Sequence, residues 1–331
     1  MVFLCHLRMA FFYDKFGTIH FGKFALPNYI FNGNLAVCMF LLISVYLYVK
    51  KALEIESESV DFWKLSIKRY IRLFVPAVVV NLLIFILIVC HLFFNIDAYD
   101  TDVPYVNTWF NFSSPIKAFC SMLWVDVNTC LFETGYNPPL WCYNLLFVLP
   151  LLAFAMIRLL GRKKAVMISF VILPLLLLHK SYFAVIPLAF ISVIGIHKIK
   201  YYKTVWGGVM IFCFFLQMIY ATYQIPLINK FFVSINMLLA TSILNILQSF
   251  SIKKRNVFNL RIFYHLNKIG FSIYLLHMPV ICSVGFLLYR LHFNLVVIII
   301  GVVSILLFVS LFFYKFVETK LSSKIISIAN P

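Results

Sequence analysis

Two imidazoles and a pair of guanidinium groups are the side chains here whose type and setting allow chemistry. His6 lies in the apolar run Met1-Val-Phe-Leu-Cys-His6-Leu-Arg8-Met-Ala-Phe-Phe12, and His277 in Lys268-Ile-Gly270-Phe-Ser272-Ile-Tyr274-Leu-Leu-His277-Met-Pro279. An ionisable group inside a membrane span is a functional-site hypothesis by default, and these two rings are the best buried proton acceptors in the chain. Tyr274 and His277 are one helical turn apart and can share a face, while Pro279 loosens the helix just beyond them. An ordinary interhelical hydrogen bond is the competing reading. Arg69 and Arg72 stand at i, i+3 on one face of Trp63-Lys-Leu-Ser-Ile-Lys68-Arg69-Tyr-Ile-Arg72-Leu-Phe-Val-Pro76, with Lys68 beside them. Guanidinium forks suit bidentate phosphate contacts, so a phosphorylated donor can dock there. Basic side chains snorkelling to lipid headgroups are the alternative.

The elements that must position these groups are membrane helices. With 63% hydrophobic and 12% charged residues over 331 positions and a mean hydropathy of +0.99, the chain lies outside the soluble-globular range. Apolar stretches near 1–13, 35–49, 73–94, 139–160, 165–178, 182–196, 204–222, 227–250, 269–289 and 293–317 predict an all-α polytopic bundle of about ten spans. The pair around His179 to Tyr182 also fits a re-entrant hairpin. No soluble domain, linker or internal repeat interrupts them, so residues 1–331 read as one membrane domain. The first span is short: a crossing needs ~20 apolar residues, and polar sequence resumes at Asp14.

The formal net charge of +17 does not point to nucleic acid, because no nucleic-acid-binding signature interleaves the 28 Lys and Arg residues. Most of them cluster in every second connection and in the C-terminal tail, the asymmetry that orients membrane proteins. The expected setting is a multi-pass protein of the inner or plasma membrane, with both termini and the basic loops cytoplasmic and no cleavable signal peptide. The opposite face carries the long loop from Asn95 to Pro138, with Asp97, Asp100, Asp102, Asp126 and Glu133. It is either an acceptor site or a solvated loop.

All eleven acids fall in loops, at span ends or in the tail, which leaves no carboxylate dyad, proton relay or metal cage within the membrane and argues against ion-coupled transport. No Gly-rich phosphate loop or G-x-S-x-G turn is present. The eight cysteines lack metal-ligand spacing, so no metal is expected. Cys120 and Cys130 flank one polar loop and can pair if it faces an oxidising compartment.

Together these segments resemble the acyltransferase family 3 membrane proteins, which transfer acyl groups, often acetyl from acetyl-CoA, to cell-surface sugars. Val2-Phe-Leu-Cys-His6 is similar to the family's Val-Val-Leu-Tyr-His, and Ala36 to Tyr46 to its Gly-Val-Asp-Leu-Phe-Phe-Val-Leu-Ser-Gly-Phe run. Arg69-x-x-Arg72 before Pro76 resembles the arginine motif, Leu140-Trp141 the Leu-Trp after the long loop, Phe271 to Pro279 the Tyr-Ser-Ile-Tyr-Leu-Leu-His-Phe-Pro run, and Phe316-Val317-Glu318 the closing Glu. The resemblance implies an O-acyltransferase with acyl-CoA as donor and a carbohydrate hydroxyl at the extracytoplasmic face as acceptor. It implies His6 as the catalytic residue, Arg69 and Arg72 with Lys68 on the CoA phosphates, and Ser272, Tyr274 and His277 in support.

Three departures accompany it. Ala36 and Val45 replace the glycines of the second motif, and no acid follows Trp141 where many members have Glu. The family also pairs its first-span His with an Arg eleven residues earlier, a position that does not exist before His6. With the short first span this leads to the expectation of a start lacking about a dozen residues, truncated or misassigned, or of an inactive member. The reading from another class is a polysaccharide or lipid-linked sugar exporter, which needs no catalytic His.

Overall fold

Inside a bilayer the backbone must satisfy its own polar groups, which leaves helices as the form for isolated apolar runs. The computed structural model describes residues 1–11, 19–21, 24–26, 32–54, 62–96, 109–129, 136–198, 202–223, 228, 230–251 and 261–329. The molecule is an all-α membrane bundle. In chain order its helices are α1 (Val2–Phe11), α2 (Gly33–Glu54), α3 (Phe62–Val89), α4 (Pro115–Thr129), α5 (Tyr143–Leu178), α6 (Val185–Lys198), α7 (Tyr202–Tyr223), α8 (Phe232–Ser251), α9 (Arg261–Val280), α10 (Phe286–Arg290), α11 (Leu295–Phe313) and α12 (Ser322–Ala329). A small antiparallel hairpin, β1 (Ile19–Phe21) and β2 (Phe24–Leu26), pairs Ile19 with Leu26.

Five stretches are long and apolar enough to cross a membrane: Gly33–Leu53, Phe62–Val89, Pro138–Leu178, Lys268–Arg290 and Leu295–Ser327. Val2–Phe11, Tyr182–Ile194, Thr204–Ile219 and Phe232–Gln248 are shorter apolar helices. Each of the ten expected stretches has a helix among its described residues, and two of them share α5. They part at Gly161, whose φ of 75° and ψ of 157° no helix contains. A side chain resists that positive φ, which is why glycine stands there. The exposed Arg158, Arg162, Lys163 and Lys164 flank the break.

The described residues form two compact units. One comprises Met1–Val2, Phe16–Phe62 and Leu145–Phe258. Within it α2 packs on α6 and α8, and α7 packs on α8, burying Leu41, Leu42, Val45, Ala189, Phe190, Met237 and Leu239. Val45, which stands where the resembling motif has glycine, is fully buried. Asn32 caps α2, its Oδ1 accepting from the Leu35 amide at 2.9 Å, while its Nδ2 donates to Asn236 Oδ1 at 2.9 Å. Gln217 Nε2 donates to the same oxygen at 3.0 Å. Buried amides bonded to one another in this way fix helix register in an apolar interior.

The other unit comprises Phe3–Lys15, Trp63–Asn144 and Asn259–Pro331. Here α9 packs on α11 and on a tight turn, Pro138–Cys142. Beyond Pro279 the helix widens through Ile281–Gly285 before resuming as α10. Proline has no amide proton to continue the ladder, and Ser283 Oγ satisfies the Pro279 carbonyl at 2.6 Å. Phe11, at the end of α1, lies against Phe286 and Tyr289 with ring centroids 5.0 and 6.1 Å away. From α11 the helix runs through a second wide stretch, Tyr314–Leu321, into α12. Ile300, Phe308 and Phe312 are exposed, the pattern of a lipid-facing helix.

Part of the Asn95–Pro138 connection is helical. Pro115 starts α4 at a position where its missing amide proton costs nothing, and Met122 buries completely. One apolar stripe a few turns long does not stand out as a span, so in the sequence this segment looks like loop. Asp97, Asp100, Asp102 and Glu133 lie outside the described residues.

Candidate active site

The site is built within the second unit. α1 carries His6 and α9 carries Ser272, Tyr274 and His277, and the two imidazoles come together with ring centroids 5.1 Å apart and planes tilted by 37°. His277 is fully buried. Its Nδ1 lies 2.6 Å from the Tyr274 carbonyl oxygen. A carbonyl oxygen only accepts, so Nδ1 carries the proton and Nε2 of the neutral ring keeps its lone pair. That Nε2 and His6 Nδ1 are both buried and have no hydrogen-bond partner among the described residues. An unpaired buried polar atom costs about 1–3 kcal/mol. Of the two, His277 Nε2 is the proton acceptor that the Tyr274 carbonyl leaves in the neutral ring.

The surroundings explain why α9 presents His277 where it does. Tyr274 Oη donates to the Pro139 carbonyl and lies 3.1 Å from Cys142 Sγ, so the Pro138–Cys142 turn grips α9 one helical turn before the histidine. Two consecutive prolines restrict the backbone of that turn. Asn137 anchors it, with Nδ2 donating to Asn81 Oδ1 of α3 at 3.0 Å, and Asn81 Nδ2 reaches Met122 Sδ of α4 at 3.2 Å. Tyr143 stacks on Phe271 at 5.9 Å.

Ser272, the third residue given a supporting part, donates to Glu318 Oε1. It ties α9 to the wide stretch after α11. The sequence placed Glu318 just past the end of the last span. It lies inside the continuous helical stretch Leu295–Ser327, because the charged run Lys315 to Lys320 widens the helix without ending it.

Lys68, Arg69 and Arg72 stand on the first turns of α3. Lys68 and Arg72 are exposed and Arg69 is half-buried, so the basic face predicted at i, i+3 is open on one side and packed on the other. The imidazole pair draws its neighbours from α1, α9 and the segment around Trp109. Cys120 is a free, exposed thiol, and Cys130, its suggested partner, lies outside the described residues.

Sequence reasoning missed one neighbour of the rings. Trp109 meets His6 edge to face, with centroids 5.8 Å apart and planes at 74°, and Asn95 Nδ2 donates to the Trp109 carbonyl at 3.0 Å. Both residues come from the long connection, about a hundred positions from His6, and no local pattern marks them. Chemically, the arrangement offers a neutral imidazole, held among apolar and aromatic side chains, that can take a proton or attack a carbonyl.

One family model, described as an acyltransferase domain, matches residues 1–314. No curated protein and no solved structure matches the chain.

Proposed function

Because the chain belongs to acyltransferase family 3 and is a multi-pass membrane protein, we propose that it moves an acyl group, acetyl in the first instance, from acyl-CoA to a hydroxyl of a cell-surface sugar. The observation that carries the reading is the His6–His277 pair, two adjacent imidazoles 5.1 Å apart with a buried unpaired nitrogen on each. His277 is the ring already fixed in tautomer by the Tyr274 carbonyl, which makes it the orienting member. His6, whose Nδ1 has no hydrogen-bond partner among the described residues, is the reacting one.

In this reading His6 removes the proton of the sugar hydroxyl as that oxygen bonds to the thioester carbonyl carbon. Its imidazolium returns the proton to the CoA thiolate as the carbon–sulfur bond breaks. In the covalent variant a His6 nitrogen bonds to the thioester carbonyl carbon as the carbon–sulfur bond breaks and the ring proton leaves with the CoA thiolate. The sugar hydroxyl then takes the acyl group as the carbon–nitrogen bond breaks, and its proton returns to the freed imidazole. Tyr274 and the Pro138–Cys142 turn hold His277 in register. Arg69 and Arg72, with Lys68, receive the CoA phosphates as bidentate and point-charge partners. The basic connections then face the cytoplasm, and the Asn95–Pro138 connection faces the acceptor on the other side of the cell membrane. The lipid bilayer is the solvent for both.

Membranes containing the chain are incubated with acetyl-CoA labelled in the acetyl group, and the envelope glycans are then treated with mild base. Label released as acetate supports ester transfer to a sugar. Label that never leaves the thioester, with the chain folded and inserted, overturns the proposal and leaves the exporter or inactive reading.

A further inference from the structure

We propose that Trp109 is a positioning residue for His6, and that Phe93 to Asn95 and Phe110 hold it there. The inference rests on the assignment of His6 as the reacting group. A histidine side chain keeps a choice of rotamers unless its neighbours restrict it. His277 restricts one side of the ring, and the Trp109 indole makes the other ring contact, at 5.8 Å and 74°.

Trp109 is itself held from both directions along the chain. Its carbonyl accepts from Asn95 Nδ2 at 3.0 Å, and Asn95 is fully buried. The next residue, Phe110, has φ 59°, a left-handed conformation that bulky L-residues avoid. Its ring is 2% exposed and stacks on Phe93 with centroids 4.5 Å apart and planes at 14°. The Phe94 amide donates to the Cys282 carbonyl at 3.1 Å, within the widened turn that follows His277. Backbone in so unfavourable a region persists only where its surroundings over-determine it. Here those surroundings connect the Trp109 segment to the same helix that carries the second imidazole.

The contact with His6 is through an aromatic edge, so phenylalanine at position 109 preserves the interaction and leucine keeps apolar bulk without it. Two readouts separate positioning from bulk packing. The first is the rate at which diethyl pyrocarbonate modifies His6 in the folded chain in nanodiscs, followed by peptide mass spectrometry. The second is turnover of labelled acetyl-CoA. Trp109→Leu is expected to raise the His6 modification rate at least threefold and lower kcat at least tenfold, with KM for acetyl-CoA within twofold. Trp109→Phe is expected to restore both to within threefold of the parent.

Asn95→Ala, which leaves the indole in place and removes the donor to its carbonyl, is expected to fall between them. It decides the matter if the Leu variant does not fold. An unchanged modification rate in Trp109→Leu and Asn95→Ala, or equal behaviour of the Leu and Phe variants, overturns the proposal. A parent chain inactive toward acetyl-CoA would count against the proposed function. The modification rates would still decide whether Trp109 restrains His6.

Discussion

Gly285→Ala is the sharpest perturbation of the scaffold under His6. A Cβ built at Gly285 would lie 2.9 Å from Phe11 Cζ, 3.1 Å from Val302 Cγ2 and 3.2 Å from Phe11 Cε2. The nearest distance is below what real Cβ atoms tolerate, and the obstacle is a ring already packed against Phe286 and Tyr289. Phe11 cannot swing aside without losing those contacts, so α1 must shift. Overpacking of this kind costs about 1–3 kcal/mol. The shift is transmitted along a short helix to His6, so activity should fall further than stability does. Gly301→Ala is the control. Its Cβ would lie 2.7 Å from Leu288 Cδ1, the far end of a flexible side chain, and re-rotation should hold the penalty below about 1 kcal/mol.

The assay is a double-mutant cycle of Gly285→Ala with Phe11→Leu, read by denaturation midpoint in detergent and by acyl-transfer rate. Removing the ring tip should recover part of the loss, with a coupling of about 0.5–3 kcal/mol. Additive effects with no coupling, or a Gly285→Ala chain as stable as Gly301→Ala, would refute the claim that Phe11 packed at Gly285 sets the position of α1.

Three further outcomes are expected. Asn137→Ala leaves the buried Asn81 Oδ1 without its donor and should destabilise by about 1–3 kcal/mol, while the Asn81→Leu, Asn137→Leu pair recovers much of that in thermal denaturation. Glu318→Gln can still accept from Ser272 and should be tolerated better than Ser272→Ala, which strands a half-buried carboxylate; equal midpoints would contradict the pairing. Gly161→Ala forces a side chain onto a φ of 75° and should cost about 1–2 kcal/mol, checked by the same midpoint and by proteolysis at the α5 break.

Much of the bundle was legible because apolar length and periodicity alone decide whether a segment coils in lipid. The basic residues between the stretches 139–160 and 165–178 marked the interruption in α5, while the positive φ of Gly161 emerged only from the fold. His277 was legible as well: a polar ring one turn after Tyr274 in an apolar run must find a partner, and it found His6 and a backbone carbonyl. α4 was not legible, since its apolar stripe is too short to separate from loop sequence. The bond from Ser272 to Glu318 was not legible, being set by how α9 meets the stretch after α11. Trp109 and Asn95 lie in a polar connection, and only the folded contacts of Phe93, Phe94 and Phe110 bring them to the ring.

The central claim is that His6 does the chemistry, and the transfer of labelled acetyl from acetyl-CoA by the parent chain and by His6→Ala, both in native membranes at matched expression, tests it most directly. The account predicts a rate at least about a hundredfold lower in the variant, the scale of a lost general base, with an unchanged thermal midpoint. A variant that transfers at the parental rate would contradict it.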